Sequence, residues 1–139
     1  MTIDTLISQL EAAKATLMVI GDNTVNHYTQ RGIQDIYTLF KQSPQVLKGA
    51  TIVDKIIGKG AASVMIAARP QKVYTRIISQ NALQFFNQYN IPVEYKELVP
   101  HIIRRDGNGW CPVELLCKEA TTVEQAMLKI DEFMNQIKS

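Results

Sequence analysis

The sequence is short of cysteine, of net charge and of long apolar runs, and each shortage excludes a class of protein. Two cysteines in 139 residues cannot form a disulfide scaffold, so Cys111 and Cys117 are expected to be free thiols. Fifteen basic and thirteen acidic side chains leave a formal net charge of +2, which argues against general binding to nucleic acid or to a membrane surface. The apolar stretch at residues 15–21 is far too short to span a bilayer.

The N-terminal residues do not have the pattern of a secretory signal. Asp4 and Glu11 come early, and no basic region precedes an apolar one. No lipidation motif is visible at either end of the sequence. We therefore expect a cytoplasmic protein.

A single domain over residues 1–139 is expected. The chain is 46% apolar and 20% charged, which is enough apolar side chain for a core and too little charge for disorder. No internal repeat, linker or low-complexity segment divides it.

The first half of the chain has clear periodicity. Apolar spacing predicts helices over residues 3–13 and 33–40, and a hairpin formed by residues 16–20 and 24–29. A further apolar series from Val53 to Met65 also has helical spacing, which predicts a third helix.

The second half alternates strands with helices. The sequence predicts strands over 72–78 and 93–99, with Ser79 as the N-cap of the helix between them. Pro112 opens a short helix, and a capping box at Thr121 or Thr122 opens the last one. The predicted fold is α/β, with three layers (α/β/α) around a mixed sheet.

No metal site and no cofactor are expected. His27, His101, Cys111 and Cys117 form none of the spacings typical of zinc ligands. The Asp-Gly-Asn-Gly run at 106–109 does not continue as a calcium loop, because the twelfth position is Cys117 where glutamate is required.

The first candidate site lies within residues 49–63. On the predicted third helix, Lys55 and Lys59 share one face, and Asp54 lies in the first turn, where an acid is favoured. Gly58 and Gly60 are poor helix formers, so they indicate close packing or the approach of a ligand. An exposed lysine stripe with glycines packed against a neighbouring element remains the alternative.

The second candidate site lies within residues 104–114. Arg104 and Arg105 are suited to bind a phosphate or carboxylate, and Trp110 to stack on a base. A cysteine at a helix start, as at Cys111, tends to have a lowered thiol pKa, although a buried capping role is the alternative. Together with Arg31, which precedes the second helix, the candidate ligand-binding residues are Arg31, Asp54, Lys55, Gly58, Lys59, Arg105, Asp106, Gly107, Asn108, Cys111 and Glu114.

Two segments carry a resemblance to a known family. Residues 49–59 (GATIVDKIIGK) and 105–112 (RDGNGWCP) resemble the signature stretches of DUF1893, a small bacterial and archaeal domain of unknown function. The similarity runs from about Ala15 to Phe133. It implies a cytidine-deaminase-like fold but no activity, because the function of that family is not established.

Zinc deaminases offer a test of this resemblance. They carry a His or Cys ligand and a catalytic Glu at one helix start, and a Pro-Cys-x-x-Cys ligand pair at the next. On the predicted elements these places read Val53-Asp54-Lys55 and Ser79-Gln80-Asn81-Ala82, so the zinc ligands are missing.

Three hypotheses of function follow. The first is a domain that binds a small anionic ligand, nucleoside- or nucleotide-derived, without zinc-dependent deamination. The second is a metal-independent enzyme that uses Lys55 as base or imine-forming amine, or Cys111 as nucleophile. The third is a scaffold whose helix faces form a homo-oligomer.

Overall fold

The computed structural model describes residues 2–30, 32–103, 107 and 109–138. Within these residues five strands form one mixed sheet in the order β2-β1-β3-β4-β5. β1 pairs antiparallel with both β2 and β3, whereas β3, β4 and β5 are parallel. The strands are β1 Leu17–Ile20, β2 Val25–Tyr28, β3 Thr51–Ile57, β4 Lys72–Ser79 and β5 Val93–Val99.

Helices supply the connections between the parallel strands, which a tight turn cannot join. The crossover from β3 to β4 contains α4, and the crossover from β4 to β5 contains α5. The helices are α1 Ile3–Ala12, α2 Gln34–Gln42, α3 Pro44–Leu47, α4 Lys59–Ala68, α5 Gln80–Gln88, α6 Pro112–Leu116 and α7 Val123–Lys138. In the part of the chain that the structure describes, no helix is long and apolar enough to cross a membrane.

Two apolar cores lie on opposite faces of the sheet. Successive residues of a strand point to opposite faces, and Leu17 and Met18 belong to different cores. The smaller core packs α1 on the sheet through Leu6 and Leu10, and the larger one contains α2, α4, α5 and α7. The expected α/β class with a mixed sheet is confirmed.

Side-chain caps fix several helix starts. Ser79 Oγ accepts a hydrogen bond from Ala82 N at 3.2 Å, so the predicted N-cap of α5 is confirmed. Both predicted threonines act at the start of α7, because Thr122 Oγ1 accepts from Gln125 N at 3.1 Å and Thr121 N donates to Gln125 Oε1 at 2.9 Å.

The prediction of a helix beginning at Val53 is wrong. Residues 51–57 form β3, and α4 begins only at Lys59, after Gly58. The segment is rich in β-branched residues, which suit a buried parallel strand, and its apolar run coincidentally also fits a helical spacing. Asp54 and Lys55 therefore lie on a strand, and Lys55 and Lys59 do not share a helical face.

Candidate functional site

A cavity of about 540 Å³ opens where β3 ends and α4 begins. This is the carboxyl end of the parallel strands, where open α/β sheets bind their ligands. Its volume lies in the range of small-molecule sites. One wall is the start of β1 and α2, with Thr16, Gly32 and Ile33, and the opposite wall is the segment that precedes and opens α6.

Three consecutive residues of β3, 54–56, line this cavity. Val53 packs in the core of α1 and Ile57 in the core on the other face, although strict alternation would keep them on one face. The alternation therefore shifts by one residue between them, and β4 shifts in the same way between Tyr74 and Ile78. Such irregularities re-aim side chains next to functional sites.

Asp54 is the buried acid of the cavity. Only 8% of the residue is exposed. Its Oδ1 accepts a hydrogen bond from Lys55 N at 2.7 Å, and the backbone amide of Ile56 also donates to the carboxyl group. Burial raises the pKa of Asp54 to about 7, the two amides work against that rise, and the charge of Asp35 adds to it.

Lys55 is the exposed base of the cavity. Its backbone N–H donates to Thr16 O at 3.1 Å as well as to Asp54, which ties the end of β3 to the residue that precedes β1. The cavity thus has a buried acid beside an exposed lysine.

Glu114 is the second buried acid, and it has partners from three parts of the chain. Its Oε1 accepts hydrogen bonds from Ser79 Oγ at 2.8 Å and Lys59 N at 3.3 Å, and its Oε2 accepts one from Ile102 N at 3.3 Å. Only 1% of the residue is exposed. Burial raises the pKa of Glu114 although these donors act to lower it. The carboxylate therefore joins α6 to the starts of α4 and α5.

Gly58 and Gly60 are explained by this contact. A Cβ added at Gly58 would overlap Glu114 Oε2, and one added at Gly60 would overlap Val113 Cγ1. The two glycines let α6 approach the start of α4. The sequence left open close packing or the approach of a ligand as the reason for these glycines, and the structure shows close packing.

Lys59 points away from the cavity. Its ammonium donates to the carbonyl oxygens of Lys118 at 3.1 Å and Ala120 at 2.5 Å and lies 4.7 Å from the ring centre of Phe85. It is 6% exposed, so the alternative of an exposed lysine stripe is wrong for this residue. Burial lowers its pKa. Lys59 thus holds the turn after α6 in place.

We call residues 101–103 and 110–120 the cap, because they cover one side of the cavity. Ile103 and Trp110 form an isolated antiparallel bridge, and Cys111 N donates to Ile102 O at 2.8 Å. The ring of Trp110 stacks on His101, with centroids 4.1 Å apart and planes 8° apart. The predicted stacking face of Trp110 is therefore covered by His101 on one side.

The two cysteines differ in their surroundings, and both are free thiols. Cys111 is half-buried and lines the cavity. Cys117 is buried in the larger core, and burial raises the pKa of its thiol to about 11, which leaves it protonated at neutral pH. Among the described residues no group of three or more His, Cys, Asp or Glu side chains is placed to hold a metal ion.

The structure brings parts of both candidate segments to one cavity. Lining residues from the first and second segments are Asp54, Lys55, Gly58, Cys111 and Glu114. Gly107 is exposed and is not part of the lining, and the predicted contacts Arg31, Arg105, Asp106 and Asn108, with Arg104, lie outside the described residues. Thr16, Ile33 and Ile102 also line the cavity, and no pattern of polar residues in the sequence identified them.

Comparison with known proteins identifies the family. A family model described as a domain of unknown function (DUF1893) matches residues 5–134. The crystal structure of a DUF1893 family protein from Thermotoga maritima matches with a TM-score of 0.84 and 25% identity, covering 94% of this chain and 88% of that one. No curated protein matches the sequence. Because the family model covers almost the whole chain, the chain belongs to the DUF1893 family.

Proposed function

We propose that the protein binds a small nucleoside- or nucleotide-derived ligand in this cavity and does not perform zinc-dependent deamination. The observation that carries the proposal is the buried carboxylate of Asp54 in the lining of a ligand-sized cavity, beside the exposed Lys55. Mostly apolar walls with a few convergent polar groups, one of them with a perturbed pKa, are typical of binding and active sites.

A cytidine-deaminase-like fold is part of the proposal. In support, a hairpin precedes the β3-α4-β4-α5-β5 series, and all five strands belong to one mixed sheet. With α4 beginning at Lys59, the first helix start to compare with zinc deaminases reads Gly58-Lys59-Gly60, and the second begins at Ser79. Neither offers a His or Cys ligand, and the carboxylate of Glu114 lies between them.

A phosphate group of the ligand would lie towards the exposed side of the cavity. Lys55 is exposed there, and Arg31 and Arg105 remain predicted contacts. The start of α4 does not favour a phosphate, because the amide of Lys59 already donates to Glu114 and its ammonium binds two carbonyl oxygens.

Isothermal titration calorimetry against nucleosides, nucleoside phosphates and ADP-ribose tests the proposal. We expect at least one of these compounds to bind with micromolar affinity and Lys55→Ala to weaken phosphate-bearing compounds about tenfold. Lys48→Ala, at an exposed lysine outside the cavity lining, is the matched control. Absence of heat with every compound, at concentrations sensitive to micromolar affinity, would contradict it.

A metal-independent enzyme is the second candidate, because Lys55 and Cys111 line the same cavity. An imine at Lys55 would be trapped by borohydride with a carbonyl metabolite, and a nucleophilic Cys111 would be alkylated faster than a free thiol at neutral pH. Lys48→Ala and Cys117→Ala are the controls. No trapping, together with ordinary alkylation rates, would remove this candidate.

A further inference from the structure

Asp54 is a buried acid with no positively charged partner in the part of the chain that the structure describes. Among the described residues no Lys, Arg or His side chain forms an ion pair with it. Its contacts are the amides of Lys55 and Ile56, the two residues that follow it on the strand. A carboxylate has about four lone-pair sites. The remaining acceptor capacity of Asp54 is available to a molecule in the cavity that it lines.

The lysines near Asp54 do not serve as its partner. Lys59 directs its ammonium to the carbonyl oxygens of Lys118 and Ala120, which follow α6 in the chain. Lys55 is exposed, so its ammonium remains hydrated and free to contact the outer part of a ligand. A buried carboxylate is costly unless it is paired and hydrogen-bonded. Since no described side chain pairs with Asp54, a ligand in the cavity is the candidate partner.

The charge of Asp54 decides what type of group fits beside it. A phosphate or carboxylate would be repelled, because Glu114 lines the same cavity and Asp35 adds its negative charge from α2. Two N–H donors held side by side match the two oxygens of a carboxylate and form charge-assisted hydrogen bonds.

The walls decide the shape of the ligand. The cavity is lined by Ile33, the N-cap residue of α2, by Ile56 of β3, and by Ile102 and Val113 of the cap. Branched aliphatic walls around one carboxylate suit a flat apolar ring that carries its N–H groups at one edge.

We propose that Asp54 recognises a planar ligand by two adjacent N–H donors, as presented by an amidinium group or by the N1–H and 2-amino groups of guanine. This inference rests on the proposed function and specifies its substrate class: the base, and not the phosphate, lies deepest. The strand neighbours of Asp54, Leu17 on β1 and Thr75 on β4, carry no charge, which is consistent with it.

The proposed pairing predicts how the affinity for the ligand depends on pH. Paired donors bind the ionised carboxylate, so affinity should rise as pH increases to about 7, the pKa of Asp54, and then level off. Adenine and cytosine edges offer one donor and one acceptor. They would instead pair with the protonated acid and would bind more tightly at low pH. Asp35, whose charge acts on Asp54, and the cavity-lining Lys55, Cys111 and Glu114 are also ionisable side chains, so the profile must be compared with that of a variant at Asp54 itself.

Titration of the wild-type chain with benzamidine, benzamide and benzoate, followed by NMR, tests the inference. The three probes share one ring and differ in the edge group. We expect benzamidine to bind most tightly at pH 8 and benzoate least, and guanosine to bind more tightly than inosine, which lacks the 2-amino group. Asp54→Asn should weaken benzamidine and guanosine about tenfold to a hundredfold. Asp22→Asn, in an exposed turn, is the control.

A second readout needs no variant. The ¹³Cγ shift of Asp54 in the wild-type chain should report a lower pKa once benzamidine is bound, because donors stabilise the ionised form.

The outcomes separate the two proposals. If nucleotides bind but prefer low pH and ignore Asp54→Asn, the inference is wrong and the proposed function stands. If benzamidine binds through Asp54 and no nucleoside or nucleotide does, the proposed function is wrong and the N–H recognition stands. If no probe binds, both are wrong.

Discussion

Two carboxylates are buried beside one cavity, and they differ in the partners that the chain gives them. Glu114 accepts hydrogen bonds from Ser79, Lys59 and Ile102, which belong to three separate parts of the fold. Asp54 accepts hydrogen bonds from the backbone amides of Lys55 and Ile56, the two residues that follow it on β3. Burial raises the pKa of both acids.

The difference in partners separates a structural acid from one that is available to a ligand. A buried group with donors from several elements holds those elements together, and its loss leaves each donor unsatisfied. A buried acid whose partners are local holds nothing together, and it destabilises the native state at neutral pH. Such a cost is common at binding and catalytic sites.

The largest effect is expected at Glu114. Glu114→Ala leaves Ser79 Oγ, Lys59 N and Ile102 N without their acceptor and creates a void, which should lower the free energy of unfolding by about 3–5 kcal/mol. Urea unfolding at pH 7 measures this loss. Glu119→Ala, at an exposed acid in the turn after α6, should change it by less than about 0.5 kcal/mol. Equal effects of the two variants would show that the cap is not held by Glu114.

Asp54→Asn should raise the free energy of unfolding at pH 8, whereas Glu114→Ala lowers it. The pKa of Asp54 is about 7 in the native state against an ordinary value of 3.8, so the native state keeps a proton that the unfolded chain loses between about pH 4 and pH 7. Stability therefore falls as pH rises through this window, by up to about 4 kcal/mol. The asparagine variant lacks this loss and should be more stable than the wild type at pH 8.

The check is unfolding at pH 4 and pH 8. The two proteins should differ little at pH 4, where Asp54 is protonated in the native state. A variant that is less stable than the wild type at pH 8 would mean that the ionised carboxylate stabilises the fold, as Glu114 does.

Gly60→Ala tests the packing of the cap on α4. Alanine is favoured over glycine in a helix by about 1 kcal/mol, yet the added Cβ meets Val113 Cγ1. We expect a net loss of about 1–3 kcal/mol in the free energy of unfolding. The double variant with Val113→Ala should recover part of it, and strict additivity of the two changes would argue against the contact.

The sequence predicted the elements whose pattern is local. Examples are the amphipathic spacing of α1, the hairpin of β1 and β2, and the helix N-cap at Ser79. Each of them depends on neighbours within a few residues. The prediction failed at β3, because three consecutive buried residues followed by two exposed ones leave no alternation to distinguish this strand from a helix. The segment is a strand because β3 pairs with both β1 and β4, and these tertiary contacts are not visible in a local pattern.

The site was predictable in its residue types but not in its arrangement. Asp54, Lys55, Cys111 and Glu114 were singled out from the sequence, and all four line the cavity. The separate roles of the two acids depend on contacts between segments 55 residues apart, such as Lys59 N with Glu114, which no local pattern reveals. The burial of Lys59 depends on the carbonyl oxygens after α6 in the same way.

The most direct test of this distinction is a ¹³C NMR pH titration of Asp54 and Glu114 in the wild-type chain, with and without benzamidine. If the distinction holds, Asp54 titrates near pH 7 alone and at lower pH with benzamidine, while the pKa of Glu114 stays unchanged. An Asp54 pKa near 3.8, or an Asp54 pKa that benzamidine does not move, would contradict it.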